Sequence, residues 1–217
     1  MRSLRLKILI HAATFGLLLC LTPLLLWGQS EHPVAINVGG GFTPLVGDMS
    51  SHLTNGWHVA GGVSFNKGPF SIGPQFTYNS FGVTRAALRE AGTPGGDSSV
   101  WSITAEPRLQ LPFAYAIRPY IVGGVGYYRR TLNFTQPALV PVTLFDPFFG
   151  YVFPGAIGTN QVLKTDSQSG IGGSLGAGFT VKLGHTGTEF FTEARYHYAA
   201  TGRVPTRMVP VTFGLRF

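Results

Sequence analysis

The sequence predicts an all-β fold, an eight-stranded antiparallel up-and-down transmembrane β-barrel preceded by a cleaved signal peptide. Three observations point to it. Residues 207–217 put an apolar side chain at every second position (Val209, Val211, Phe213, Leu215, Phe217) and end on an aromatic. A period of two marks a strand with one apolar face, and aromatic residues favour a membrane interface. The same alternation recurs along the rest of the chain. Finally, 44% of residues are hydrophobic, 13% aromatic and only 12% charged, with 30 glycines. That is too apolar and too weakly charged for an ordinary soluble domain.

The N-terminus reads as an export signal. Arg2, Arg5 and Lys7 precede an apolar run from Ile8 to Trp27, followed by Gly28, Gln29 and Ser30. A basic head, an apolar middle and small residues at the cut define a secretory signal peptide. Residues 1–30 are assigned to it, and residues 31–217 to one barrel domain. An uncleaved anchor is the alternative, weakened by His11, Thr14 and Pro23 in the apolar run. A lipoprotein signal at Cys20 is discounted, because Leu19 stands where a small residue belongs. Cleavage removes three of sixteen basic residues, leaving thirteen against nine acids and a mature charge of +4. It also removes the one cysteine, so no disulfide or thiol chemistry is expected. No basic run or binding motif accompanies the positive charge, so nucleic acid is not expected as a partner.

Eight segments alternate. Strand one covers about 33–43 (Val34, Ile36, Val38, Phe42 outward), strand two 56–66 (Trp57, Val59, Val63, Phe65) and strand three 69–81 (Phe70, Ile72, Phe76, Tyr78). Strand four covers 99–111 (Trp101, Ile103, Leu109), strand five 117–128 (Ile117, Ile121, Val125, Tyr127) and strand six 169–183 (Ile171, Leu175, Phe179, Val181). Strand seven covers 189–199 (Phe190, Ala194, Tyr196, Tyr198), and the C-terminal segment is strand eight. Gly-Gly pairs followed closely by an aromatic form a weak internal repeat, as at Gly40–Phe42 and Gly123–Tyr127. Connections near 67–69, 112–116 and 184–188 are short, whereas those near 44–55, 83–98, 129–168 and 200–206 are mostly longer. Short turns at one end and long loops at the other is the arrangement of membrane barrels, with an even strand number returning both termini to the short-turn side. A lipocalin-like barrel with its apolar face inward is the alternative. The opposite faces argue against it, since they carry small residues such as Gly39, Gly41, Ser64, Gly170, Gly172, Ser174 and Gly176. These suit the interior of a narrow barrel, while a solvated face would carry more Lys and Glu.

With these strands, the terminal Phe217 and the segment Phe191-Thr192-Glu193-Ala194-Arg195-Tyr196-His197-Tyr198, the sequence resembles the OmpA/OmpX-like family of small outer-membrane β-barrels over residues 31–217. The resemblance implies residence in the cell outer membrane and insertion by the barrel-assembly machinery. Phe213, Leu215 and Phe217 correspond to the C-terminal insertion signal, with Leu215 where the family usually has an aromatic. The chain ends at Phe217, so the periplasmic wall-binding domain of larger relatives is not expected.

The polar faces also carry Glu106, Arg108, Lys182, Glu193, Arg195 and Arg216. Charge in a narrow interior is costly unless paired. A lumen network is expected in which Glu106 and Glu193 pair with Arg108, Arg195 and Lys182. The resemblance implies that such networks plug the barrel or gate a small pore. Purely structural satisfaction of polar groups is the simpler reading. Residues 129–168 form an unusually apolar extracellular loop, whose Phe145, Phe148, Phe149, Tyr151 and Phe153 make a candidate binding surface for an unidentified ligand. It is expected as a hairpin turning near Asp146-Pro147 or as a lid. Two further strands at 138–145 and 148–153 are a third option, opposed by Pro137, Pro141, Pro147 and Pro154. Thr84–Gly92 reads as a short helix with a Thr cap and a Gly stop. Arg85, Arg89, Arg129, Arg130, Arg203 and Arg207 fall near the outer rim, where they are candidates for lipopolysaccharide phosphates or plain surface charge.

Asp48, His52, His58 and His197 are placed near the outer rim, with Ser51, Ser98 and Ser99 close by, but no spacing matches a nucleophile elbow or a metal motif. No cofactor, metal or enzymatic activity is expected. The expected role is an envelope structural or surface-interaction protein, with a narrow gated pore as runner-up and a lipid-modifying or proteolytic enzyme behind it.

Overall fold

The computed structural model describes residues 33–112, 117–184, 187–202 and 204–217. The signal-peptide assignment and Arg203 lie outside them. The strands are β1 (Val34–Thr43), β2 (Gly56–Lys67), β3 (Phe70–Ile72), β4 (Pro74–Gly82), β5 (Gly95–Ala105), β6 (Arg108–Gln110), β7 (Ile117–Phe145), β8 (Val152–Lys182), β9 (Glu189–Ala199), β10 (Thr206–Met208) and β11 (Val211–Arg216). Two helices, α1 (Met49–His52) and α2 (Arg85–Ala91), lie in the longer connections. Among the described residues none forms a helix long and apolar enough to cross a membrane.

All the strands belong to one antiparallel sheet. It closes on itself, since β1 pairs with β2 (Val34 opposite Phe65) and with β11 (Asn37 opposite Arg216). Closure removes the exposed edges that an open sheet would present.

Three interruptions split segments that otherwise run in line. Gly73 separates β3 from β4, Glu106-Pro107 separates β5 from β6, and Val209-Pro210 separates β10 from β11. Proline has no ladder donor, so pairing lapses at Pro107 and Pro210. Their carbonyls stay engaged, accepting from Gly123 N at 3.0 Å and Arg195 N at 3.1 Å. At Gly73 the neighbouring backbone approaches so closely that an added Cβ would meet Val63 O at 1.8 Å.

Alternation sorts the side chains. Val34, Ile36, Val38, Trp57, Phe65, Phe76, Ile103, Ile121, Val125, Leu175, Phe213 and Leu215 are exposed on the outer face. Asn37, His58, Gln75, Thr104, Glu106, Arg108, Tyr120, Glu193, Arg195 and His197 are buried in the lumen. On the outer face Trp57 contacts Tyr78, and Phe76, Trp101 and Tyr127 form a second group of ring contacts, with centroids 5.5–6.5 Å apart. From this aromatic belt to Phe65 and Phe70 is eight residues. At ~3.4 Å per residue and a ~40° tilt, that spans about 21 Å, close to the ~25 Å apolar band of a membrane barrel.

β7 and β8 continue far beyond the belt. They stay paired from Ile117 opposite Val181 to Phe145 opposite Val152, with one bulge at Phe134/Thr135. The 129–168 segment is therefore a protruding hairpin, and the proposed strand at 138–145 is the end of β7, not an additional barrel strand. The eighteen residues 128–145 extend roughly 60 Å along the strand at ~3.3 Å each. Pro137, Pro141 and the partner of Pro154, Thr143, share one parity of the ladder. At alternate pairs of an antiparallel ladder both N–H groups point away from the partner, and there proline is tolerated. At the tip, Asp146 Oδ1 accepts from Phe148 N at 2.8 Å and Phe149 N at 3.3 Å, and Gly150 (φ 69) closes the turn.

The shorter loops fold over the mouth. Leu45, Met49 and Leu53 pack with Phe81, Val100, Tyr128, Ala199 and Met208 into an apolar plug at the long-loop end. α2 keeps the anticipated caps: Thr84 Oγ1 accepts from Ala87 N, and Gly92 is left-handed at φ 64.

Glycine makes room for the lumen side chains. A Cβ on Gly178 would lie 2.4 Å from Thr192 O and 2.7 Å from the Tyr120 hydroxyl. Gly178→Val is expected to destabilise the folded barrel by about 2 kcal/mol, read as a lower urea midpoint for loss of the heat-sensitive gel shift.

Candidate functional site

The lumen is layered along its axis. Beneath the apolar plug lies a neutral polar belt. His58, on β2, contacts Thr43 through Nδ1 and Thr212 through Nε2, each at 2.9 Å. The Thr43 hydroxyl donates to Asn79 Oδ1 at 2.9 Å. His197 Nδ1 meets the Tyr128 hydroxyl at 2.9 Å. Both histidines are buried, whereas His52 is exposed and bonded locally to Ser51 and to Asp48 O. The outer-rim grouping of His58 and His197 with Asp48 and His52 is thus corrected: strand parity turns the first two into the barrel. Among the described residues no three His, Cys, Asp or Glu side chains converge as a metal site.

The charge cluster lies next. Arg195 on β9 forms ion pairs with Glu106, just after β5, and with Glu193 two residues away on its own strand. Residues two apart on a strand share a face, so the Glu-x-Arg spacing sets the second pair directly. The first pair crosses the lumen. The Gln75 amide lies between the same groups; in the orientation that satisfies both of its ends it donates to Glu106 Oε2 at 3.1 Å and accepts from Arg195 Nη2 at 3.3 Å. Thr104 donates to Glu106 Oε1 at 2.8 Å, and the Tyr120 hydroxyl donates to Glu193 Oε2 at 2.9 Å. Arg108 lies 4.5 Å over the Tyr120 ring, with Nη2 3.9 Å from Glu193. That is ion-pair range but too long for a hydrogen bond.

Lys182 does not join this cluster. It is exposed at the end of β8, on the wall of a vestibule at the short-turn end. Gln75, Tyr120 and the two histidines are members of the lumen network that charge alone did not identify. Their signal in the sequence was parity: each stands one residue out of step with an outward aromatic or aliphatic side chain.

The hairpin tip and the outer rim are separate. Phe148 is 92% exposed and Phe149 78%, with Phe145, Tyr151 and Phe153 also exposed. Phe149, Tyr151 and Phe153 form a chain of ring contacts at 6.0–6.2 Å. Arg85 and Arg89 are exposed on α2, and Arg129 is exposed on β7 beside the aromatic belt. Arg207 lies over the Tyr198 ring at 5.6 Å. Arg130 turns the other way and binds Val204 O at 3.1 Å and Gln168 Oε1 at 3.0 Å, so its guanidinium ties neighbouring segments together. Phe213, Leu215 and Phe217 share the outer face at the end of the chain.

Two solved structures with TM-scores above 0.5 share the fold, and a third is more distantly similar. Neisserial surface protein A (NspA) matches with a TM-score of 0.53 and 11% identity, covering 85% of this chain and 96% of that one. A major outer membrane protein from Thermus thermophilus gives 0.53 and 10%, covering 86% and 99%. Ail, the attachment invasion locus protein of Yersinia pestis, gives 0.45 and 17%, covering 85% and 96%. No curated protein matches the sequence. The model of the outer membrane protein beta-barrel domain matches residues 13–217, nearly the whole chain. This closed sheet with an apolar exterior therefore belongs to the outer membrane protein beta-barrel domain family and resides in the cell outer membrane.

Proposed function

We infer that the protein is a non-catalytic, eight-stranded barrel that holds a long hairpin above the cell surface for interaction with an extracellular partner. Counting each interrupted pair (β3 with β4, β5 with β6, β10 with β11) as one strand gives the eight. Such a barrel is just wide enough for side chains to fill, which agrees with the plug, the polar belt and the ion pairs stacked inside it. In this reading the barrel is an anchor whose insertion by the assembly machinery uses Phe213, Leu215 and Phe217. Arg85, Arg89, Arg129 and Arg207 face the lipopolysaccharide phosphates.

The observation that carries the reading is the tip. The aromatic cluster lies about 60 Å along the strand from the aromatic belt, with Asp146 as the one charged residue between 137 and 163, and its rings make no contact with the barrel wall among the described ring contacts. Exposed apolar surface of this kind marks interaction sites. Removing 134–160 leaves Asn133 near its partner Thr165, with Gln161–Lys164 to close a turn. Cells carrying that variant are expected to retain the heat-modifiable barrel while adhesion to protein-coated or hydrophobic surfaces falls roughly fivefold or more. Unchanged adhesion would refute the hairpin as the interacting element.

A narrow pore is the second reading, favoured by the vestibule and by the Arg195 cluster as a gate. Arg195→Ala leaves two buried carboxylates without their main partner and is expected to lower stability by about 3 kcal/mol, measured by urea denaturation in detergent. Glu106→Gln in the same background should restore part of that loss. Larger single-channel conductance in planar bilayers for either variant would favour the pore.

A further inference from the structure

The short-turn end of the lumen opens into a vestibule of about 290 Å³. Above it the space narrows to a cavity of about 10 Å³ between Asn37, Gln75, Glu106 and Arg108, room for about one water. The vestibule is entered from the short-turn side.

Its walls are cationic. Arg108, Arg118, Lys182 and Arg216 stand there against Glu189, the one acidic side chain among the described lining residues. Arg118 is paired with Glu189 at 3.4 Å. Arg108 has one carboxylate at longer range, Glu193 at 3.9 Å, on the side away from the vestibule mouth, and Arg216 has no ion pair among the described residues. Arg216 donates to neutral groups, Ser64 Oγ at 3.3 Å and Asn66 Oδ1. The Arg108 side chain is 7% exposed, and its Nη1 is buried with no hydrogen-bond partner among the described residues. Tyr120 packs against its face, and Glu193 lies 3.9 Å from the opposite nitrogen.

A buried guanidinium with an idle N–H is costly; Nη1 has no accessible surface of its own, so an anion in the vestibule would offset that cost through its charge, beside the part of Arg108 that lines the pocket. Two guanidiniums on one pocket, with the Ser71 hydroxyl and the Gln110 amide beside them, offer more donors than the two oxygens of a carboxylate can accept. They suit a tetrahedral oxyanion, for which the planar fork of arginine is well matched.

We propose that the periplasmic vestibule is a binding site for a phosphate-class oxyanion, held by Arg108 and Arg216. The anion arrives either free in the periplasm or as the headgroup of an inner-leaflet phospholipid, since Phe70 and Phe217 put the rim at the level of the lipid.

The test uses the refolded exported chain in octyl glucoside, titrated with inorganic phosphate and followed by calorimetry and backbone amide shifts. Shifts are expected at Arg108, Gln110 and Arg216 and not in the extracellular loops. Arg216→Gln should weaken phosphate roughly tenfold or more. Arg129→Gln, the same charge change at the opposite end, should alter it less than about twofold. Dihexanoyl phosphatidic acid binding more tightly than phosphate assigns the site to a headgroup, and equal or weaker binding assigns it to the free anion. No binding of either probe, shifts confined to the loops, or equal losses in the two variants would overturn the proposal.

Discussion

A guanidinium buried in a space too narrow to hydrate it has to be met by carboxylates, and most of the barrel interior is arranged around that requirement at Arg195. Glu193 comes from the same strand and Glu106 from across the lumen, so the contact ties β9 to the end of β5. Gln75, Thr104 and Tyr120 then saturate the remaining oxygens. Room for these side chains comes from Gly176 and Gly178 on β8, where any Cβ would collide with Arg195 or Tyr120. A membrane barrel cannot draw on the usual oily core, because its oily surface faces lipid. Its cohesion depends on backbone pairing and on interior polar networks of this kind.

The contrast between the two faces explains why so much was legible in the sequence. Lipid outside and packed polar groups inside give strict alternation, and a one-residue slip would invert every face. β9 accordingly spans the predicted 189–199, and most of the outward residues predicted for the strands are exposed, with Tyr78, Trp101, Leu109, Val181 and Phe190 among those half-buried. α2 was legible because Thr84 and Gly92 are local capping signals that need no tertiary context.

The remainder depended on relations that a side-chain pattern does not carry. Alternation passes unbroken through Pro107 and Pro210, so the lapses in pairing there were invisible. The prolines of the apolar loop argued against strands, yet the ladder has alternate positions whose N–H groups are not used, and the prolines fall on one parity. His58 and His197 were placed on the rim by their proximity to loops, although their own strand parity points them inward. The apolar plug was missed because Leu45, Met49 and Leu53 come from a connection, where no periodicity marks a buried face.

The hairpin also bears on how the chain crosses the membrane. In the proposed extracellular placement its tip has to cross from the periplasmic side to the outside, with no nucleotide hydrolysis available in the outer envelope to drive it. Within the paired ribbon each strand satisfies half of the other's backbone, and Asp146 is the one ionised side chain between 137 and 163. A loop rich in lysine or glutamate would meet a steep dehydration barrier in transit. The near-neutral, aromatic character of this tip lowers that barrier, so the residues proposed to meet an external partner would also ease their own export.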